Sequence, residues 1–351
     1  MIRPVVLVTT AAIATSTVSD STVWGDSVPA TNNVGVLRIT WSQPIPRDLS
    51  GVRYLLLDAA RASYVADLKR RYPGLRVLAY KDIGFLIDYS RGPGGNAGVP
   101  WQQARERWFL HDRSGRRVNS VRYPKAWFAD VGRQSYQRAW LRNVLRFLHG
   151  APWDGVFMDD ALADPGWHLG GAYRRLSRYP TRDAYRAAAR SFLAKIGPAL
   201  KKEGFLGIAN IGASYDQPQV WGDWAGLLSG VMEEHFLKLG EGAEPVATGA
   251  DWTADVNAER AVEGAGRIFL ALTYGTANDA ADQRYVRASF LLFDRPDTGS
   301  ASIWSPNITP SSSFAVGQPV GPARRVGAVW TRAFSGGVIS VDSSDGTYRP
   351  R

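Results

Sequence analysis

Along the chain, short apolar runs that end in a carboxylate, an amide or an aromatic residue alternate with stretches whose apolar positions recur at helical spacing. Counted from Val34, eight runs read as strands. These are VGVLRI, RYLLLD ending at Asp58, LRVLAYKD ending at Asp82, WDGVFMDD over 153–160, FLGIAN ending at Asn210, GVMEEHF over 230–236, RIFLALTY ending at Tyr274, and SASIW ending at Trp304. Between them, helical spacing appears in RASYVADLKRRY, which Pro73-Gly74 stops, and over 134–148, 182–203, 256–264 and 283–293. Strands apolar on both faces belong to a buried parallel sheet, and eight strand-to-helix repeats predict an α/β fold, a (β/α)8 TIM barrel. An open doubly wound sheet uses the same alternation. No glycine-rich dinucleotide or phosphate loop follows any of these strands, which favours the barrel.

The flanks differ in character. Residues 1–33 are rich in Ser, Thr, Pro and Asn and read as a flexible lead-in or a weak signal peptide, with Ala12-Ile13-Ala14 resembling a cleavage site. Residues 34–308 form the expected catalytic barrel. Residues 309–351 form a C-terminal β extension packed on it, because VGAVWTRAFSGGVISVD alternates and turns at Gly336-Gly337 as a β-hairpin does. The glycine-rich excursion over 90–101 is too long for an ordinary βα connection and reads as a lid or cleft wall. A loop carrying Tyr215, Trp221 and Trp224 is expected after the fifth strand.

Strand ends carry the candidate chemistry, because in a barrel the loops after the strands build the mouth of the site. Asp159 and Asp160 close the fourth strand, and Glu233 and Glu234 lie on the sixth. Two carboxylates at neighbouring strand ends are what glycoside hydrolysis requires: one attacks the anomeric carbon and the other protonates the departing oxygen. Asp159, still on the strand, is preferred to Asp160, which begins the loop and suits a sugar hydroxyl or its neighbour. Glu233 is preferred to Glu234 on the same ground. Asp58, Lys81, Asp82, Asp160, Asn210, Glu234, Tyr274 and Trp304, at or beside the strand ends, are the expected substrate-binding residues. For each acid the plain alternative is a helix cap or an arginine partner.

Composition narrows the chemistry. The absence of cysteine excludes disulfides, a thiolate nucleophile and Cys-ligated metals. The four histidines, His111, His149, His168 and His235, show no metal-binding spacing, and no GxSxG elbow occurs, so neither a metal nor another cofactor is expected. His149 reads as a charge partner at a helix end, and His235 as a support to the acid site. Thirteen Trp and fourteen Tyr provide platforms for sugar rings as well as core. A net charge of +10 points to anionic surfaces, but the basic segment over 105–125 is broken by Glu106 and Asp112 and does not read as a nucleic-acid arm. No run is long and apolar enough for a membrane span.

At these residues the sequence resembles a family. WDGVFMDD resembles the strand-four signature of glycoside hydrolase family 114 and of the hypothetical glycosyl hydrolase-like family 15, and GVMEEHF falls where those barrels have their second acid. Gly317-Gln318-Pro319 followed by Trp330, Arg332, Phe334, Gly337 and Val341 resembles the close of the latter family. The resemblance implies a barrel that cleaves a polysaccharide, with Asp159 as the strand-four acid and Glu233 as the strand-six acid. Family 114 enzymes act on galactosamine-containing polymers, often cationic, which a basic protein repels unless its cleft is locally acidic; the reaction class is carried over and the sugar is not. The expectation is an endo-acting, retaining glycosidase, secreted or otherwise extracytoplasmic, or phage-borne, with a polysaccharide or oligosaccharide as its partner. A barrel that binds glycan without cutting it is the alternative.

Overall fold

The computed structural model describes residues 24–25, 36–40, 44–213, 218–240, 244–276, 279–304 and 316–348. Apart from 24–25, the lead-in over 1–33 lies outside them, as do Tyr215 and the expected boundary at 308/309. All eight strand runs form strands: β1 (Val36–Thr40), β2 (Val52–Leu57), β3 (Arg76–Asp82), β4 (Gly155–Asp159), β5 (Leu206–Asn210), β6 (Gly230–Glu233), β7 (Ile268–Thr273) and β8 (Ala301–Trp304). They make a closed parallel barrel in which spatial neighbours follow chain order. The helices are α1 (Val65–Arg71), α2 (Gln134–Leu148), the single turn α3 (Gly166–Leu169), α4 (Arg182–Lys202), α5 (Pro218–Leu227), α6 (Gly249–Gly264) and α7 (Ala280–Phe293). Among the described residues, no helix is long and apolar enough to cross a membrane.

The chain falls into two compact units, one from Leu56 to Val231 and the other comprising the chain up to Leu55 and from Met232 onward. In the first, β3 pairs with β4 from Leu78↔Gly155 to Asp82↔Asp159, and β4 pairs with β5 from Gly155↔Leu206 to Met158↔Ala209. Gly155 permits this approach, since a Cβ there would lie 2.1 Å from the Leu206 carbonyl oxygen. Tyr136, Trp140, Val144 and Leu148 recur every four residues on α2 and are all buried. Tyr136 and Trp140 pack edge-on against Phe192 of α4, each with ring centroids 5.7 Å away. The same two side chains reach the loop after β3, where Trp140 Nε1 donates to the Asp82 carbonyl (2.9 Å) and the Tyr136 hydroxyl to that of Ile83 (3.0 Å).

One expectation changes. Trp221 and Trp224, expected in a loop, sit on α5 and are fully buried in the core. Pro218 starts that helix at a position where proline needs no hydrogen-bond partner, and the spacing of Val220, Trp221, Trp224 and Ala225 gives it a buried face despite Gly222 and Gly226.

In the second unit, β7 pairs with β8 from Leu270↔Ala301 to Thr273↔Trp304, and β8 pairs with β1 at Ser302↔Val36. The expected hairpin is present as β10 (Val329–Phe334) and β11 (Gly337–Asp342), flanked by β9 (Arg324–Val326) and β12 (Thr347–Tyr348) in one antiparallel sheet. Trp330 seats this sheet against Trp252 of α6 and Phe293 of α7, at ring separations of 5.8 and 5.1 Å. Arg332 reaches further in, where Nη1 donates to the carbonyls of Leu291 (2.8 Å) and Asp294 (2.7 Å). Around it lie buried Glu259, Glu263, Asp294 and Arg287. Burial, reinforced by the charge of Asp294, raises the Glu263 carboxyl to about 8, and burial raises Asp294 to about 6.

A carboxyl whose pKa rises from 4.5 to about 8 on folding stabilises the fold fully below 4.5 and progressively loses that contribution as the pH climbs to about 8. Thermal unfolding followed between those limits should show the melting temperature of the wild type falling more steeply with pH than that of Glu263→Gln, whose amide has no proton to lose.

Candidate active site

Asp159, the last residue of β4, is held by three donors. Asp159 Oδ2 accepts the Tyr80 hydroxyl at 2.5 Å, and Oδ1 accepts Asn210 Nδ2 at 3.0 Å and the Asp160 backbone N–H at 3.0 Å. Strand register explains the convergence. Tyr80 and Asp82 are two apart on β3 and share a face, Asp82 is the register partner of Asp159, and Asn210 ends β5 on the other side. The Gly212 N–H donates to Asn210 Oδ1 at 3.3 Å, which turns the amide nitrogen toward Asp159. Three donors thus fix the rotation of a carboxyl group that remains partly exposed. Desolvation, and then the negative charge of Asp159, push the Tyr80 phenol well above its ordinary range, so it stays a donor.

Asp160 lies beyond the strand in the left-handed region, φ 53°. Its Oδ1 is 3.1 Å from His168 Nε2, and its carboxyl is within hydrogen-bond reach of Asp82. Asp82 is buried, and its Oδ1 accepts the Phe85 N–H at 2.7 Å. Burial, followed by the charges of Asp160 and Asp159, drives its carboxyl far above the usual range. Gly84 lies so close to Asp160 that a Cβ there would come within 2.5 Å of the Asp160 carbonyl oxygen.

The other expected residues of this unit are placed differently. Lys81 alternates away from Tyr80 and Asp82, and its buried ammonium stands 4.3 Å from the Phe147 ring centroid of α2. It donates to the carbonyls of Pro93 and Gly95, and burial lowers it to about 7. The expected lid or wall over 90–101 is therefore tied from behind by Lys81. It is tied at its base by Asp82 N–H to Asn96 O (2.7 Å) and Gly98 N–H to Asp82 O (3.1 Å). Asp58 caps the short helical turn Ala59–Tyr64 through the Ala60 N–H at 2.8 Å, and burial raises its pKa.

In the second unit, Glu233 ends β6 buried and accepts the His235 backbone N–H at 2.9 Å. Glu234 is partly exposed and accepts the Tyr274 hydroxyl at 2.7 Å. The His235 ring stands 5.2 Å from that of Tyr274, and burial lowers its pKa so that it is neutral at physiological pH. Trp304 is buried against Gly275 and donates through Nε1 to the Thr276 carbonyl at 3.1 Å. His149 caps the end of α2 and faces Glu203 at 3.4 Å, as its position suggests.

Tyr80 and His168 carry no role in the sequence reading. Tyr80 was within reach of it, because a residue two before a strand-end acid shares that acid's face. His168 has no such signal: it sits on α3, and its approach to Asp160 depends on the path of the loop. Among the described residues, no group of three His, Asp or Glu side chains is arranged to hold a metal ion.

No curated protein matches this chain in sequence. Among solved structures, the glycoside hydrolase domain of PelA from Pseudomonas aeruginosa is similar over 80% of this chain and 97% of its own, with 17% identity and a TM-score of 0.52. Ega3 of Aspergillus fumigatus, solved in complex with galactosamine, is similar over 80% of this chain and 94% of its own, with 12% identity and a TM-score of 0.50. At such identities the likeness is one of fold. The family match goes further, for residues 69–338, from α1 to the second strand of the terminal hairpin, fit the family described as hypothetical glycosyl hydrolase family 15. Strand-end acids in a barrel and a family match over most of the chain agree, and the protein belongs to hypothetical glycosyl hydrolase family 15 and is a glycoside hydrolase.

Proposed function

We propose that the protein is an extracytoplasmic, endo-acting and retaining glycosidase that cleaves a polysaccharide with Asp159 as nucleophile and Glu233 as acid/base. The observation that carries the assignment is the holding of Asp159: a partly exposed carboxylate whose two oxygens accept Tyr80, Asn210 and the Asp160 N–H. A nucleophile fixed by its neighbours attacks without first losing rotational freedom. In the first step an Asp159 oxygen bonds to the anomeric carbon, the glycosidic C–O bond breaks, and the Glu233 proton passes to the departing oxygen. In the second, Glu233 takes a proton from water, whose oxygen displaces Asp159 and returns the enzyme to its first state.

The surroundings support this division of labour. Asp160 and Glu234, the second members of the two pairs, already hold His168 and Tyr274 respectively, which suits supporting roles. An extended substrate is favoured by the aromatic pair Tyr123 and Trp167, 5.9 Å apart and each packed on His168. The galactosamine in the Ega3 structure makes amino-sugar polymers the first members of a substrate panel, and the acids clustered around Asp159 suit a cationic chain despite the protein's net charge of +10.

Release of reducing ends from a panel of bacterial and fungal wall polysaccharides, galactosamine polymers included, tests the reading. Wild type should release them, and Asp159→Asn should lose about 10³-fold or more in rate while unfolding as cooperatively as wild type. Alanine is the poorer substitution, because it leaves the Tyr80 hydroxyl without its acceptor at a cost of roughly 1–3 kcal/mol. Glu233→Gln should cripple turnover of the polysaccharide yet spare the first step on an aryl glycoside whose leaving group departs without a proton, and Glu234→Gln should cost far less. Equal losses on both substrates for Glu233→Gln, or a larger loss at Glu234, would assign the acid to the neighbouring residue. Gly84→Ala, which forces the Asp160 backbone to move, should cost about 1–3 kcal/mol of stability and lower kcat more than it raises KM.

A further inference from the structure

Behind Asp159 stands a chain of four side chains that the two-carboxylate mechanism does not use: Ser120, His168, Asp160 and Asp82. We propose that Asp82 and Asp160 share a single proton, with His168 and Ser120 anchoring Asp160 from the other side, and that this array is the positioning device that aims the Asp159 carboxylate. The proposal rests on the reading of Asp159 as nucleophile.

Donor and acceptor accounting orients the whole chain. Ser120 Oγ accepts the N–H groups of Arg122 and Tyr123, each at 3.1 Å, so both of its lone pairs are used. Its own proton therefore goes to His168 Nδ1, 3.0 Å away. The buried imidazole then carries its hydrogen on Nε2 and donates it to Asp160 Oδ1 at 3.1 Å. On the far side, Asp82 Oδ1 accepts the Phe85 N–H, and the Asp82 carboxyl meets that of Asp160 within hydrogen-bond reach. Two facing carboxyls cannot both stay ionised at such range, and the buried member is the one that keeps a proton.

The neighbours of Asp82 agree with this placement. It faces Asp159 and Asp160 from β4, Tyr80 on its own strand, Tyr89 from the loop that follows, Tyr136 from α2 and Tyr185 from α4. His168 faces Asp160, and the leading charges acting on Asp82 are the negative ones of Asp160 and Asp159. The acids would repel a second negative charge, and the phenols, whose pKa values are all raised, stay neutral beside it.

The consequence falls on Asp159. Asp160 adopts a backbone conformation uncommon for a residue with a side chain, and that conformation turns its N–H back onto Asp159 Oδ1. Without side-chain anchors the residue would relax and the N–H would swing away. With them, two donors hold one anion, and its charge is drawn toward Asp82 and His168 and away from the attacking carboxylate.

The acid limb of the kcat/KM profile, set by ionisation of Asp159, reads out this arrangement on the polysaccharide from which wild type releases most reducing ends. Asp82→Asn replaces one neutral group by another, so the limb should stay in place with part of the wild-type rate retained. Asp160→Asn removes a negative charge beside Asp159, which should move the limb to lower pH by about half a unit or more. Asp82→Ala, which unhooks Asp160, should lose about a hundredfold in kcat with KM nearly unchanged. A limb that moves down in Asp82→Asn as it does in Asp160→Asn would mean that Asp82 is ionised, and alanine as active as asparagine would mean that it positions nothing; either overturns the proposal. Should Asp82→Ala fail to fold, as judged by circular dichroism and its melting transition, the two asparagine variants decide the matter alone. Activity persisting in Asp159→Asn would instead sink the parent reading, whatever the limbs do.

Discussion

The register between β3 and β4 is the constraint on which the site depends. Because Asp82 pairs with Asp159, both strands end at the same level, and Tyr80, one step back on the face of Asp82, meets the carboxylate that closes β4. A slip of one residue would turn Tyr80 and Asp82 outward and bring Lys81 in. The register is guarded from outside the sheet by α2, whose Trp140 and Tyr136 hold the carbonyls of Asp82 and Ile83 while their rings lock against Phe192. Helix packing and strand pairing thus converge on Asp82.

A second centre of order is built from charge. Glu259, Glu263 and Asp294 are buried with Arg287 and Arg332 where the terminal sheet meets α6 and α7. Removing one partner from such a group is costly, although exchanging the whole group for apolar residues is often neutral. Within it, Arg332 ties the terminal sheet to the end of α7 by donating to the carbonyls of Leu291 and Asp294.

The barrel was legible because each strand is apolar on both faces and each stops at a polar or aromatic residue, and periodicity alone separates such runs from the helices between them. Asp159, Asp160, Asp82 and Asn210 were legible for the same reason, since strand ends are where a barrel collects side chains, and the structure gathers these four into one hydrogen-bonded group. Lys81 and Asp58 show the limit of that rule. One step of parity sends Lys81 to the back of its strand, and Asp58 caps the turn that follows, which strand position does not distinguish from facing the mouth. The helix carrying Trp221 and Trp224 was hidden by its glycines, and His168 by the path of a loop, which local patterns do not encode.

The segment between Ser90 and Trp101 is gripped through its main chain. Lys81 and the Asp82 backbone bond to peptide groups there, Asp82 both donating to Asn96 and accepting from Gly98, and Ser90 Oγ takes the Ala97 N–H at 2.9 Å. Such a grip is indifferent to the side chains at exposed positions such as Arg91 and Pro93, but it fixes the buried Ala97 and Val99 and the glycines at 95 and 98, where a Cβ would strike Ser90 or Trp140, and it is intolerant of a change in length. Among diverging members of the family the exposed positions of this segment should therefore drift in residue type while its number of residues and its buried positions stay fixed, so that its outer surface can change without disturbing the strand end beneath it.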